Sequence, residues 1–244
     1  MYLDKCFPRE IEAAKKNKTP VVLVGGTVEY HGPHCSYGCD TLVAQGLLEK
    51  LAEKKDIIIA PSISYSPASW AVGGDTSGTV HVDEVVFEEY VFNVFMSMLS
   101  AGLRNIYVLI HHQFEQESLM PMTLSYMKAA KRATMRYLEK TKGQGWWGSE
   151  SYADYYENLE TDDNPFAWIK VIPTMSTEVQ NATGYDHAGK FECSILMSLY
   201  PEAVTLERLP EIKHWFTESA KEANKELGDE MVRRSLEYLE KAIV

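Results

Sequence analysis

The sequence predicts an α/β fold, a single-domain α/β/α sandwich with a mostly parallel central sheet. Three observations carry this. Short, near-continuous apolar runs recur along the chain, the form taken by strands covered on both faces. Longer stretches with apolar residues at helical spacing separate them, and such alternation builds parallel sheets through crossover connections. Finally, 244 residues with 45% hydrophobic and 24% charged side chains suit one sizeable core, with no repeat or low-complexity linker to divide it, so residues 1–244 are read as one domain.

The first strand is read over residues 20–26, PVVLVGG, an apolar run closed by glycines. Residues 57–61, 106–110 and 170–173 give three further strands. Between the first two, residues 41–54 carry Leu42, Val43, Leu47, Leu48 and Leu51 at helical spacing. Asp83 is placed to cap a helix containing Val85, Val86, Tyr90, Val91, Val94, Phe95 and Met98, with Gly102 marking its end. Another helix is expected from about Glu117 into the basic stretch around Lys128, Lys131, Arg132 and Arg136. A last amphipathic helix is expected over much of residues 210–242. Residues 143–149, GQGWWGS, read as a loop with a mobile backbone. Its Trp146 and Trp147 suit a lid over a ring-shaped substrate, and equally a subunit contact, since Trp is enriched at interfaces.

Charge and cysteine content narrow the partners and the compartment. With 35 acidic and 24 basic side chains the formal net charge is −11, which disfavours nucleic acid and anionic membrane surfaces. No run approaches the roughly 20 apolar residues that span a bilayer. The N-terminal stretch lacks the apolar core of a secretory signal. Cys6, Cys35, Cys39 and Cys193 are few for this length and fit a reducing cytoplasm better than a disulfide framework.

The chemistry gathers in three short segments. Glu29, His31 and His34, followed by Asp40, come directly after the first strand, and ligands in α/β sheets collect outside the carboxyl ends of strands. Glu29 and His31 are two apart, so in an extended segment both leave on one face, and Asp40 returns after the Gly32-Pro33 turn. Two carboxylates and an imidazole make a nitrogen/oxygen set suited to zinc or manganese. His111 and His112 end the third strand, with Glu115 close behind. Asp186, His187 and Glu192 form the third cluster. Of the seven histidines, His31, His34, His111, His112 and His187 fall in these segments, whereas His81 and His214 do not. His34 reads either as a group holding a ligand carboxylate or as a cap on the turn.

These segments resemble signatures of the creatininase (creatinine amidohydrolase) family. Residues 26–41, GTVEYHGPHCSYGCDT, are similar to its pattern G-[ST]-x-E-x-H-G-P-H-x-x-x-x-x-D-T. Residues 101–112, AGLRNIYVLIHH, resemble A-G-[FL]-R-x-I-x-x-x-N-G-H, with Ile110 and His111 where the pattern has Asn-Gly, which alters the pocket wall. Residues 186–194, DHAGKFECS, resemble E-H-[AG]-G-x-x-E-T-S, and Ser77-Gly78-Thr79 matches a Gly-Thr step before a helix. The resemblance covers about residues 20–205.

It implies two divalent ions, zinc or manganese with iron also admitted, one on Glu29, Asp40 and His112 and the other on His31 and Asp40, which bridges. Either Glu115 or Glu192 completes the second site. The ions would supply a hydroxide from shared water to attack a carbonyl of a small polar cyclic substrate, with His187 moving a proton at the leaving group and Asp186 orienting it or binding substrate. Ser77, Trp146 and Trp147 are the expected substrate contacts. A cyclic amide or related C–N bond is the leading target. Alternatives within the family are ring opening of an inositol-derived cyclic diketone and deformylation of a formamide. A metal-binding module without activity is the reading outside enzymes, and an open coordination position would separate the two. The resemblance further implies a homo-oligomer, a hexamer.

Overall fold

The computed structural model describes residues 1–112, 121–158 and 164–244. Its sheet has four strands, β1 (Val21–Gly25), β2 (Ile58–Ile63), β3 (Ile106–Ile110) and β4 (Ile169–Pro173), in the order β2-β1-β3-β4. All three pairings are parallel. The register sets Gly25 beside Ile110 and Ile110 beside Pro173, so these strands finish level with one another.

Helices cover both faces, because alternate residues of each strand point opposite ways. Val22 and Val24 of β1 enter one core with Leu47, Leu48, Leu196 and Leu239. Those side chains come from α2 (Cys39–Ala52), α6 (Lys190–Leu199) and α7 (Lys225–Ala242). Val21 and Leu23 enter the other core with Ala14, Phe95 and Tyr126. These belong to α1 (Pro8–Asn17), α3 (Glu84–Ser100) and α4 (Pro121–Lys142). A fully buried side chain such as Leu47 or Phe95 contributes roughly 1.5–3 kcal/mol. The sandwich and its parallel sheet are therefore those the sequence predicts.

Asp83 caps α3 as expected, its carboxylate accepting from the N–H groups of Val85 (2.9 Å) and Val86 (3.3 Å). The expected start of the next helix near Glu117 lies outside the described residues, which resume at Pro121. The helix expected over 210–242 is shorter. Residues Leu206–Glu211 and Trp215–Glu222 form 3-10 turns, and α7 begins only at Lys225, where the Asn224 side chain accepts from Leu227 N–H. Pro210 lacks a backbone donor and Asn224 offers its own oxygen to the chain, so the helix restarts there. A short helix, α5 (Thr177–Thr183), precedes the third motif. Helices α6 and α7 approach closely at Gly228, where a Cβ would lie 1.9 Å from the Ser194 carbonyl oxygen.

Among the described residues, no helix is long and apolar enough to cross a membrane. Within the loop expected at residues 143–149, Trp146–Gly148 form a short 3-10 turn, and another follows at Glu150–Tyr152. Trp146 is buried against Tyr152, and Trp147 is half exposed beside Tyr155 and Tyr156.

Candidate metal centre

Because β1 and β3 end level, the segments that follow them leave the sheet side by side. Thr27, Glu29 and His31 occupy alternate positions of the segment after β1, and all three are buried. Gly26 admits the start of α2 against that segment, since a Cβ there would meet Thr41 Oγ1 at 2.0 Å. The contact is sealed by Thr41 Oγ1 donating to the Thr27 carbonyl (2.9 Å) and Thr27 Oγ1 donating to Asp40 Oδ2 (2.5 Å). Asp40 thus sits in the first turn of α2, where the helix dipole favours a carboxylate.

His112 reaches the same point from the end of β3. Its Nδ1 is 3.1 Å from Glu29 Oε2 and 3.3 Å from Asp40 Oδ2. His31 Nε2 lies 3.8 Å from Asp40 Oδ2 and 3.4 Å from Glu192 Oε2. The other nitrogen of that ring, Nδ1, sits 3.0 Å from the Glu29 carbonyl, which fixes it as the protonated one in the neutral tautomer. Glu192 arrives on the first turn of α6, and Ala188 N–H donates to its Oε2 (2.6 Å). Ala188 holds a left-handed φ of 54°, backbone strain of the kind found at functional sites.

The donor atoms fall into overlapping triplets, each within 4.8 Å: Glu29, Asp40 and His112; Asp40, His111 and Glu192; Glu29, His31 and His187; His31, Cys39 and Glu192. The electrostatics follow from three carboxylates crowded into a dry pocket. Burial alone would lower the His31 imidazole, yet Glu192 and Asp40 raise it to about 9. For His112 burial is likewise outweighed by Asp40 and Glu29, and the ring is raised to about 10. Burial works against ionising Asp40, but His112 and His31 hold its carboxyl well below the usual range. Glu192 falls to about 2 despite burial, through His31 and a hydrogen bond from His111. The protein has gathered negative charge that the imidazoles neutralise only by taking up protons, and a divalent cation would do the same without them. His31 Nε2 is buried between two carboxylates with no aligned hydrogen bond, as a lone pair reserved for an ion would be. The donor set therefore fits divalent metal.

His187 stands at the open side of this cluster. Its ring lies 4.3 Å from that of His31, and its Nε2 is 3.1 Å from the Tyr30 carbonyl oxygen. Beyond it opens a cavity of about 530 Å³ lined by Asp186, His187, Trp215, Phe216, Ser219 and Glu222. His214 stacks on Phe216 at 4.8 Å and meets the Tyr30 hydroxyl at 3.0 Å, which makes an aromatic wall.

The structure thus brings together Glu29, His31, Asp40, His112, Glu192 and His187. Glu115 lies outside the described residues. Asp186, expected to orient His187 or to bind substrate, lines the cavity and makes its carboxylate hydrogen bonds to the start of α6. Its carboxylate accepts from the N–H groups of Phe191 (3.1 Å) and Glu192 (3.0 Å), so it holds the start of α6, and burial raises its pKa. The Ser77 hydroxyl donates to the Gly74 carbonyl within its own turn, and the Ser77 carbonyl accepts from Tyr37. Trp146 and Trp147 make their ring contacts with Tyr152, Tyr155 and Tyr156. His34 adopts neither expected role, because its Nε2 lies 2.9 Å from the Ala188 carbonyl and ties the first motif to the third. Sequence reasoning missed Thr27, though its place within the first motif was a signal. It placed His111 in the second chemical segment, but of the two histidines there the resemblance-based ligand set took only His112.

Comparison with known proteins places this geometry. The family described as "Creatininase: Creatinine amidohydrolase" matches over residues 5–243. A creatinine amidohydrolase of Pseudomonas putida is 21% identical over 192 residues, covering 78% of this chain and 67% of that one. A 3-dehydro-scyllo-inosose hydrolase of Thermotoga maritima is 26% identical over 124 residues, covering 51% of this chain and 39% of that one. Among solved structures, a manganese creatininase superposes with a TM-score of 0.73 at 18% identity, covering 99% of this chain and 96% of that one. A creatininase variant of Zn–Zn type gives 0.71 at 19% identity with the same coverage. At these identities the structures show a shared fold.

Proposed function

The chain belongs to the creatininase family and is a metal-dependent hydrolase of that family, and from that premise we propose that it binds two divalent ions across Asp40 and hydrolyses a small polar cyclic substrate. The observation that carries this reading is the sharing of Asp40 between two buried triplets of donor atoms. Glu29, Asp40 and His112 would hold one ion, and Asp40 and Glu192, which share the second triplet, would hold the other with His31, whose Nε2 lies 3.8 and 3.4 Å from their oxygens. Bound there, the ions would lower the pKa of a water toward neutrality and polarise a carbonyl oxygen. Zinc or manganese suits the nitrogen and oxygen donors, and both are named among the solved relatives.

The chain's own residues supply the rest. Thr27 fixes the Asp40 carboxylate by its hydroxyl, and the Glu29 carbonyl fixes the His31 tautomer. When neutral with Nε2–H donating to Tyr30, His187 keeps its other nitrogen as an acceptor, so it takes a proton and returns it to the leaving group. On the cavity wall Phe216 and Trp215 would offer aromatic faces, and Ser219 and Asp186 polar groups, to a ring bearing polar substituents. Cleavage of a cyclic amide or related C–N bond is the reading we favour, supported by the span of the family match. Ring opening of a cyclic diketone is the second reading, motivated by the inosose hydrolase relative, because water adds to a ketone and to an amide carbonyl in the same way. We further read the chain as a cytoplasmic homo-oligomer, a hexamer, to be checked by light scattering. Its cysteines are all free thiols, in keeping with a reducing compartment.

The test is elemental analysis of the wild type and Asp40→Ala purified side by side, followed by assay of lactams, formamides and cyclic diketones. About two ions per chain that fall sharply in the variant support the shared site. A folded, metal-replete wild type with no bound ion would sink the reading.

A further inference from the structure

We propose that His111 is itself a ligand of the second ion, so that this site is built from His31, Asp40, His111 and Glu192. The inference rests on the two-ion reading above and goes beyond its ligand set.

The donor atoms of Asp40, His111 and Glu192 lie within 4.8 Å of one another, and all three residues are buried. His111 Nε2 is 3.3 Å from Glu192 Oε1, while His31 Nε2 is 3.4 Å from Glu192 Oε2 and 3.8 Å from Asp40 Oδ2. Two ligand atoms about 2.0–2.2 Å from a tetrahedral ion stand roughly 3.3–3.5 Å apart. Each Glu192 oxygen therefore stands one ligand–ligand spacing from an imidazole nitrogen, Oε1 from His111 and Oε2 from His31, so the carboxylate would serve through both oxygens; the His31–Asp40 spacing is a few tenths of an ångström longer.

The other side of the His111 ring supports the same assignment. Its Nδ1 is 2.8 Å from Thr174 Oγ1, and Thr174 follows the end of β4, which pairs with β3. A histidine that donates one N–H to an oxygen presents the opposite nitrogen's lone pair to an ion. The fold thus orients the ring from the neighbouring strand, as it orients His31 from the Glu29 carbonyl. A histidine at the strand's end also explains how Glu192 acts as a ligand from a helix on the far side of the pocket, since His31 and His111 flank its two oxygens.

The competing role is that His111 only hydrogen-bonds Glu192 and holds it in place. Three measurements separate the roles: ions per chain, affinity by competition against a chromophoric chelator, and proton NMR of the Co(II)-loaded protein. The variants are His111→Ala and His111→Gln; the latter keeps a donor for Glu192 but lacks an imidazole. The inference expects three paramagnetically shifted imidazole N–H resonances in the wild type, from His31, His111 and His112. In both variants it expects one fewer, with second-ion affinity weakened ~10-fold or more and the first ion retained. Two resonances in a doubly loaded wild type, or wild-type affinity for both ions in His111→Gln, would overturn it while leaving the two-ion reading intact. A wild type that binds no ion would overturn both. The wild-type resonance count stands even if the variants fail to fold.

Discussion

Replacing Thr27 by Val isolates one hydroxyl on which the centre depends. Thr27 is buried, and its Oγ1 donates to Asp40 Oδ2, the oxygen that His112 Nδ1 and His31 Nε2 approach at 3.3 and 3.8 Å. Valine keeps the β-branch and the size but sets a methyl against a carboxylate oxygen. A buried hydrogen bond to a charged group is worth about 1.5–3 kcal/mol. If the whole loss falls on the ions, their affinity drops roughly 10–100-fold, at about 1.4 kcal/mol per decade. The range agrees with the usual cost of losing a group that holds a ligand, also about 10–100-fold. Chelator competition on the wild type, Thr27→Val and Thr27→Ser gives the affinities, and thermal melts of the metal-free proteins show what share falls on the fold. Serine should restore most of the loss because it restores the donor. Should Thr27→Val bind both ions within twofold of wild type and melt at the same temperature, the hydroxyl would not position Asp40 and the reasoning would fail.

Three further outcomes follow from the same geometry. His187→Asn should lower turnover by about 10²–10⁴-fold with the ion content unchanged, since a proton carrier is lost and no ligand is; loss of metal on elemental analysis would make His187 a ligand instead. In the metal-free protein, His31 and His112 are raised from 6.5 to about 9 and about 10, so their stabilisation is complete below pH 6.5 and is lost as pH rises through those values. Metal binding needs the imidazoles neutral, so the Tm difference between loaded and metal-free protein should widen from pH 6.5 to 9, and a constant difference would contradict the charge balance described. Gly228→Ala would press a methyl onto the Ser194 carbonyl, costing about 1–3 kcal/mol. At ~2–4 °C per kcal/mol that is several degrees of Tm, and an unshifted melt would show that α6 and α7 can separate there without cost.

The sheet was legible because buried parallel strands leave no polar face, so 106–110 stands out as a plain apolar run. Helix α2 was legible for a different reason, the spacing of Leu47, Leu48 and Leu51, but its start at Cys39 was not. That start depends on Gly26 admitting Thr41, a contact between segments that no local pattern encodes. Helix α1 was overlooked because it buries only Ala14 and otherwise reads as charged surface. The amphipathic pattern beyond residue 210 ran through Pro210 and Asn224, where a missing backbone donor and a competing side chain break it. Within the centre, the first motif pointed to its own ligands. For Asp186 the sequence offered adjacency to His187, but not the contact of its carboxylate with the N–H groups of Phe191 and Glu192, five and six residues on. His111 was kept out of the implied ligand set because the family pattern has no ligand at that position, although the chain has already left β3 at Ile110 and its ring turns toward Glu192.

The substrate was the least legible part, and the structure gives the reason. The buried carboxylates and imidazoles answer only to an ion and a carbonyl, and those demands are common to amide, formamide and diketone hydrolysis. Discrimination must then arise where the substrate's remaining atoms rest. The cavity wall is assembled from distant pieces, Trp215 and Phe216 from the turns before α7 and His187 from the third motif, backed by Tyr30 from the segment after β1 and by His214. Edge-on and stacked ring contacts join them, with hydrogen bonds from Tyr30 to His214 and between His187 and the Tyr30 carbonyl. Residues 186–188 join the two levels, since Ala188 N–H holds Glu192 in the centre while its carbonyl meets His34. His187 is the residue before it, so the strained backbone whose N–H holds the Glu192 carboxylate also sets His187 at the edge of the cavity. Changes in the wall can therefore retune which ring is accepted without disturbing the ions, whereas changes at residues 186–188 disturb both together.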